Sequence, residues 1–160
     1  MHYRYLDTPV GRLLLAQDDD GLRLIHYVGA DLKVGPSSNP DWHREDEAFG
    51  NVVSQLTEYF DGRRREFDLR LAPQGTPFQQ RVWAALLDIP YGHTVSYGEL
   101  AARIGQKSAS RAVGLANGSN PLSIVIPCHR VIGANGKLTG YGGGLPVKER
   151  LLALERGGLW

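Results

Sequence analysis

"SYGELAARIGQKSASRAVGLAN" (Ser96–Asn117) contains two short helical patterns separated by a glycine. Ser96 and Glu99 have the spacing of a capping box, which predicts the start of the first helix, and Gly105 predicts its end. A second helix is expected to begin around 108–110. Two short helices joined by a glycine-bearing turn predict a helix-turn-helix, although helix pairs of this outline also occur in proteins that never bind DNA.

The second helix of this pair is built mostly from small residues. Ala109, Ala112, Gly114 and Ala116 surround a single long side chain, Arg111. A helix that reads base sequence usually offers several Arg, Asn, Gln or Lys side chains to the groove. We therefore expect close contact with DNA without sequence reading, with Arg111 entering a groove or stacking. Tight helix packing with a solvated Arg111 is the alternative.

The residues before the helix pair predict a small sheet with one helix. Short apolar or alternating runs predict strands at 2–6, 12–16 and 22–27, and "REFDLRLA" (65–72) predicts a closing strand. Apolar residues at spacings of three and four predict a helix over 46–60. "VGPSSNPDW" (34–42) predicts a loop.

The rest of the chain predicts mostly helix. "LAPQGTPF" (71–78) predicts a linker, and Thr76, Pro77 and Gln79 predict a capped helix that runs to about Asp88. "LPVKERLLALE" (145–155) predicts the last helix. We therefore predict an α+β fold, with an N-terminal sheet-plus-helix domain over 1–73 and a mostly helical domain with the helix-turn-helix over 74–160.

Composition restricts the class of protein. The chain has 160 residues, 42% of them hydrophobic and 22% charged, which is enough for a substantial core. Its one cysteine excludes an intramolecular disulfide and a Cys-rich zinc site, and predicts a reducing, cytoplasmic location. No apolar stretch approaches the length of a membrane span. Residues 74–160 hold nine Lys and Arg against four Asp and Glu, whereas residues 1–73 hold nine against thirteen. A basic second half of this kind is common among proteins and is also typical of a polyanionic partner.

That one cysteine is Cys128, within "NPLSIVIPCHRVIG" (120–133). A lone cysteine is usually a small buried hydrophobe. Here it follows "SIVI", which predicts a buried extended segment, and His129 and Arg130 come next and could support a thiolate nucleophile. Adjacent side chains in an extended chain point opposite ways, so a bridging water between Cys128 and His129 is expected. Glu149 is the carboxylate that we expect to orient the imidazole.

The chain resembles the O6-alkylguanine-DNA alkyltransferases, also called methylated-DNA-protein-cysteine methyltransferases. The resemblance covers nearly all of 76–156 and rests on "TPFQQRVW" (76–83), "IPYGHTVSYGELA" (89–101), "RAVGLANGSNP" (111–121), "PCHRVIG" (127–133) and "TGYGGGLPVKE" (139–149). It implies a ribonuclease H-like N-terminal domain and a winged-helix-like C-terminal domain.

The resemblance also implies a reaction. Cys128 takes an alkyl group from O6 of guanine, and from O4 of thymine, by direct and irreversible displacement, so each molecule works once. His129 is the base and acts through a water, Glu149 holds His129, and Asn120 braces the turn that carries "PCHR". Tyr97 donates a proton or hydrogen bond toward guanine N3, so that the departing base does not leave as a bare anion.

The partner implied by the resemblance is double-stranded DNA that contains O6-alkylguanine, with the damaged nucleotide flipped into a pocket. Arg111 fills the space that the base leaves. The other DNA contacts expected are Ser96, Tyr97, Ala109, Gly114 and Arg130. The residues expected in the base pocket are Pro127, Val131, Tyr141 and Gly142.

No metal, cofactor, membrane or obligate protein partner is expected. Some relatives hold a structural zinc through cysteines and histidines, whereas His2, His26 and His43 have no thiolate companions here. Two other functions stay open. A non-catalytic alkyl-lesion sensor would resemble the alkyltransferase-like proteins, which carry tryptophan in place of the cysteine. A cysteine hydrolase that uses Cys128 and His129 would be indifferent to DNA, but no oxyanion-hole motif accompanies the pair.

Overall fold

The computed structural model of the chain describes residues 1–29 and 35–158, and four strands near the N-terminus form one sheet. The strands are β1 (His2–Thr8), β2 (Gly11–Asp18), β3 (Gly21–Tyr27) and β4 (His43–Arg44). Their order is β3-β2-β1-β4; β1, β2 and β3 pair antiparallel, and β4 pairs parallel with β1. The three strands predicted from alternation are thus present.

One helix packs with this sheet. A 3-10 turn at Asp46–Phe49 leads into α1 (Gly50–Phe60), so the predicted helix over 46–60 is present with a tighter first turn. Its buried face carries Val52, Leu56 and Tyr59.

The predicted closing strand over 65–72 was wrong. Among the described residues, this segment pairs with β3 through a single parallel bridge between Leu22 and Leu71, in which Leu22 N donates to Arg70 O (2.8 Å) and Ala72 N donates to Leu22 O (2.9 Å). Alternation of apolar and polar residues predicted this strand, but the first residues of the segment pair with no strand of the described chain. In the predicted loop over 34–42, Val34 lies outside the described residues, and a 3-10 turn forms at Pro36–Ser38.

The second half of the chain is mainly helical. Its elements are α2 (Pro77–Leu87), β5 (Val95–Ser96), α3 (Tyr97–Arg103), α4 (Ser110–Gly118), β6 (Val131–Ile132) and α5 (Leu145–Glu155). Both predicted capping boxes form: Thr76 and Gln79 exchange bonds at the start of α2, and Ser96 and Glu99 do so at the start of α3. The predicted α+β class and helical C-terminal part are confirmed.

Helices α3 and α4 form the predicted helix-turn-helix. Gly105, which follows the C-cap residue Ile104 of α3, has a φ of 73°, a conformation that costs glycine little and other residues more. Behind the pair, the Trp83 indole of α2 donates to the Ala116 carbonyl of α4 at 2.9 Å. Strands β5 and β6 pair in parallel, with Val95 opposite Val131, which places the start of α3 beside the segment that follows Cys128.

One continuous hydrophobic core includes residues of the sheet, α1 and the helical part, so the two halves pack together. None of the helices within 1–29 and 35–158 combines the length and hydropathy that a membrane span needs.

Candidate active site

Cys128 is the first residue of a 3-10 turn, Cys128–Arg130, and only 7% of its surface is exposed. The preceding "SIVI" is buried but forms turns, so the extended conformation predicted for it was wrong. Ile124 has a φ of 74°, which is unusual for a β-branched residue. Asn120 is the local reason: its Nδ2 donates to Ile126 O (2.7 Å), and its Oδ1 accepts from Leu122 N (3.0 Å), so one side chain holds both ends of the turn.

A buried carboxylate, Glu155, lies at the centre of the polar groups around His129. It accepts a hydrogen bond from His129 Nε2 (2.7 Å) and one from the Tyr59 hydroxyl (2.6 Å). Arg130 donates to both carboxylate oxygens, from Nε at 2.8 Å and from Nη2 at 3.1 Å. The three donating residues named here lie in α1 and the 3-10 turn, whereas the acceptor is the last residue of α5.

The prediction that Glu149 holds His129 was therefore wrong. Glu149 is exposed on α5, whereas Glu155 is buried and directly bonded to the imidazole. The two residues are six positions apart, which is about 600° of helical rotation at 3.6 residues per turn, so they lie on different faces of α5.

The prediction that Arg130 contacts DNA was also wrong. Its side chain is 7% exposed, and its remaining donor, Nη1, bonds to the Ile89 carbonyl at 2.7 Å. Since its guanidinium is committed to Glu155 and Ile89 inside the protein, Arg130 is not a DNA contact but a structural partner of the carboxylate.

Burial and charge set the protonation of these groups. Burial alone would raise the pKa of Glu155, but its hydrogen bonds and charge interactions with His129 and Arg130 lower that pKa far below its ordinary value. Burial lowers the pKa of His129, although Glu155 acts in the opposite direction. The imidazole is thus neutral near pH 7 and donates through Nε2, which leaves Nδ1 unprotonated. Nδ1 is buried and has no hydrogen-bond partner among the described protein residues.

The thiol itself is held mainly protonated. Burial raises the pKa of Cys128, and hydrogen bonding to Asn120 and the positive charge of Lys148 offset part of that rise. Lys148 is fully buried on α5, where its Nζ donates to the carbonyls of Val131 (2.7 Å) and Thr139 (3.3 Å). A thiol in this state needs a base before it can act as a nucleophile, since the thiolate is the nucleophilic form.

A cavity of about 270 Å³ opens onto Cys128. Its walls come from β3, from the end of α4 with the loop that follows, and from the loop before α5; they are formed by Leu24, His26, Tyr27, Asn117, Gly118, Ser119, Asn120, Pro121, Ser123, Gly140, Tyr141 and Gly142. Of the four residues predicted for the base pocket, Tyr141 and Gly142 line this cavity. Pro127 instead lines a second cavity of about 310 Å³, and the Val131 carbonyl is bonded to Lys148.

The exposed side of the helix-turn-helix lies beside this cavity. Arg111 is exposed on α4, and Leu115, one turn later, is 72% exposed. Gly118 continues the same face and lines the mouth of the cavity. One face of α4 thus carries the cationic Arg111, the apolar Leu115 and, at the Cys128 cavity, Gly118.

The other predicted DNA contacts have structural roles in the same region. The Ser96 hydroxyl accepts from Glu99 N at the start of α3, and Ala109 immediately precedes α4. Gly114 faces the Tyr97 ring; a Cβ there would lie 3.7 Å from two ring atoms. The Tyr97 hydroxyl is hydrogen-bonded to that of Thr139, which joins the helix-turn-helix to the loop before α5.

No group of three or more His, Cys, Asp or Glu side chains within the described ranges could hold a metal ion. His2 and His43 face each other in the register of β1 and β4, and both are exposed.

The comparisons with known proteins agree with this arrangement of a DNA-binding motif beside a buried thiol. Residues 77–157 match the model described as "6-O-methylguanine DNA methyltransferase, DNA binding domain", and residues 1–73 match "6-O-methylguanine DNA methyltransferase, ribonuclease-like domain". The chain therefore belongs to the 6-O-methylguanine DNA methyltransferase family.

Individual relatives match over nearly their whole length. The methylated-DNA--protein-cysteine methyltransferase of Methanosarcina acetivorans is 51% identical over 156 residues, which cover 97% of this chain and 98% of that protein. The protein of the same name from Mycolicibacterium paratuberculosis is 54% identical over 98% of this chain and 93% of its own. The crystal structure of Mycobacterium tuberculosis OGT in complex with DNA superposes with a TM-score of 0.91 at 51% identity, covering 98% of this chain and 94% of that one.

Proposed function

We propose that this protein repairs alkylated duplex DNA by moving the alkyl group from O6 of guanine to the Sγ of Cys128. The observation that carries the proposal is the arrangement of one buried thiol, a neutral imidazole held by Glu155, and an exposed helix-turn-helix around one cavity. Family membership supports the reaction type. We also propose that residues 1–73 and 74–160 are two domains, and that both contribute to the cavity.

The thiol proton leaves first in this reaction. His129 Nε2 donates to Glu155, so the unprotonated Nδ1 is available to accept the proton of Cys128 through a water, and Glu155 stabilises the imidazolium that forms. The thiolate then attacks the alkyl carbon, forming an S–C bond while the C–O6 bond breaks. The bonding pair stays with the purine, which takes up a proton.

Tyr97 is the residue that we assign to this second proton. Its hydroxyl is already hydrogen-bonded to Thr139, and a phenol can donate toward guanine N3 as negative charge develops on the departing base. The same displacement at O4 of thymine needs no additional group. Because the product is a thioether, which water and thiols do not cleave, each molecule reacts once and no cofactor takes part.

The buried position of Cys128 requires the nucleotide to leave the duplex. A base inside the stack cannot reach a residue that is 7% exposed at a cavity wall, so the enzyme must flip it into that cavity. Arg111 fills the space left in the stack. Leu115 lies one turn away on the same face, where an apolar side chain can press between base steps. The small residues of α4 let its backbone approach the groove without reading sequence.

A single-turnover assay tests this proposal. Protein in slight excess is mixed with duplex carrying O6-[methyl-labelled]guanine, and transfer is followed as protein-bound label with a one-methyl mass increase on the Cys128 peptide. We expect stoichiometric transfer by the wild-type protein and none by Cys128→Ser, with DNA binding retained.

Ser119→Ala is a matched control, since Ser119 lies at the cavity but, among the described residues, its hydroxyl donates only to the Leu115 carbonyl of α4. Lesion binding without any label on wild-type protein would assign a sensor function instead. Turnover of esters or peptides with indifference to DNA would assign a hydrolase.

A further inference from the structure

Part of the wall around Cys128 comes from the N-terminal sheet. Leu24, His26 and Tyr27 of β3 line the cavity. The edge of β3 is also fixed to the chain just before the nucleophile, because Ile25 N donates to Pro121 O at 2.9 Å and Ser123 N donates to Ile25 O at 3.3 Å. The sheet therefore has a fixed position relative to the thiol.

Tyr27 of β3 contacts the loop before α5 across this boundary. It is 5% exposed, and its hydroxyl lies 2.7 Å from that of Tyr141, with the ring centroids 5.5 Å apart at 71°. Such an edge-on pair is favourable beyond the area it buries. Burial is the main reason that the pKa of each phenol is raised, so both hydroxyls stay protonated and one donates to the other.

The backbone of the loop before α5 also rests on the Tyr27 ring. A Cβ added at Gly143 would lie 2.9 Å from the Cζ of that ring and 3.0 Å from both Cε atoms, which is closer than real Cβ contacts. Gly143 does not have a positive φ, so it is the ring, not the backbone conformation, that excludes a side chain there. Tyr27 thus fixes both the Tyr141 side chain and the loop that carries it.

We propose that Tyr27 is a specificity-determining residue that limits the size of the alkyl group transferred to Cys128. This inference rests on the proposed function, since it concerns the same cavity. The Tyr27 ring closes the cavity on the side of the sheet and holds Tyr141 against the space where the flipped base enters. A smaller residue at position 27 both widens the cavity and frees Tyr141 to move.

The test compares transfer rates from duplexes that carry O6-methylguanine or O6-benzylguanine. We expect Tyr27→Leu to raise the benzyl-to-methyl rate ratio about tenfold or more, since a group of this size changes discrimination by that order in an apolar pocket. Tyr27→Phe keeps the ring and should leave the ratio within about threefold of wild type. Tyr5→Leu is the matched control, because Tyr5 is half-buried in β1, outside the cavity.

A second variant keeps the test decisive if Tyr27→Leu does not fold. Gly143→Ala places a methyl group against the Tyr27 ring and should lower the benzyl-to-methyl ratio several-fold, and this effect should vanish in the double variant with Tyr27→Leu. The inference would be overturned if the benzyl-to-methyl ratio stayed within about threefold of wild type in both Tyr27→Leu and Gly143→Ala. If Tyr27→Leu is unfolded, an unchanged ratio in Gly143→Ala alone would overturn it. Wild-type protein that transfers neither group would count against the proposed function instead.

Discussion

Replacing Glu155 by glutamine should destabilise the protein and slow alkyl transfer together. The side chain accepts hydrogen bonds from Tyr59 and His129 and two from Arg130, all within 3.1 Å. Glu155→Gln leaves the Arg130 guanidinium, whose side chain is 7% exposed, without its counter-charge. Removal of one partner from a buried ion pair costs about 3–5 kcal/mol. This cost is a large part of the free energy of unfolding of an ordinary domain, which is about 5–15 kcal/mol.

Urea unfolding monitored by circular dichroism measures this cost. With a slope of about 2 kcal/mol per molar urea, the unfolding midpoint should fall by about 1.5–2.5 M. The transfer rate, measured without urea on protein shown to be folded, should fall about 10²-fold or more because His129 loses the group that fixes its tautomer.

Glu149→Gln provides the matched control on the same helix. Since Glu149 is exposed, its loss should change the free energy of unfolding by no more than about 0.5 kcal/mol and leave the transfer rate unaltered. Equal midpoints for the two variants, or a slower transfer by Glu149→Gln than by Glu155→Gln, would refute the assignment of Glu155.

Three further outcomes are expected. Arg111→Ala should slow repair of duplex lesions at least tenfold at an unchanged unfolding midpoint, because the residue is exposed; single-turnover rates and urea curves check this. Lys148→Met should lose about 2 kcal/mol or more of stability by leaving the Val131 carbonyl unpaired in the interior, which calorimetry would detect. The folded-state pKa of His129 lies below its ordinary 6.5, so the free energy of unfolding should fall as pH drops below about 6.5; a urea series from pH 8 to pH 5 tests the sign.

Local signals in the sequence were sufficient to place the helices next to the site. Capping pairs, such as Ser96 with Glu99, act within one turn, so the sequence contains the whole interaction. The "SIVI" segment shows the limit of this reasoning. Its β-branched residues favour extended chain, but Asn120 bonds to Leu122 and Ile126 and folds the segment into turns, an effect that residue propensities do not include.

The sequence does contain a pattern that indicates Glu155, rather than Glu149, as the buried carboxylate. Lys148, Leu151, Leu152 and Glu155 follow the spacing of one helix face, and all four are buried. A charged residue on an apolar stripe must find a partner in the interior, and this argument alone favours Glu155 over Glu149. Tyr27 left no comparable signal, because its contact with Tyr141 spans 114 positions and depends on how the sheet packs against the helical part.

The 3-10 turn explains how two consecutive residues of "CHR", His129 and Arg130, bind the same carboxylate. In an extended chain His129 and Arg130 would point to opposite sides, but in Cys128–Arg130 both reach the same carboxylate. Burial alone would raise the pKa of Glu155, but the hydrogen bonds and charge of Arg130, together with those of His129, lower that pKa, so Glu155 stays ionised. Burial of the thiol raises its pKa and makes a base necessary, and the same burial keeps the imidazole neutral and able to act as that base. In the proposed reaction, Arg130 therefore contributes without contacting DNA, because it maintains the negative charge that an imidazolium at position 129 requires.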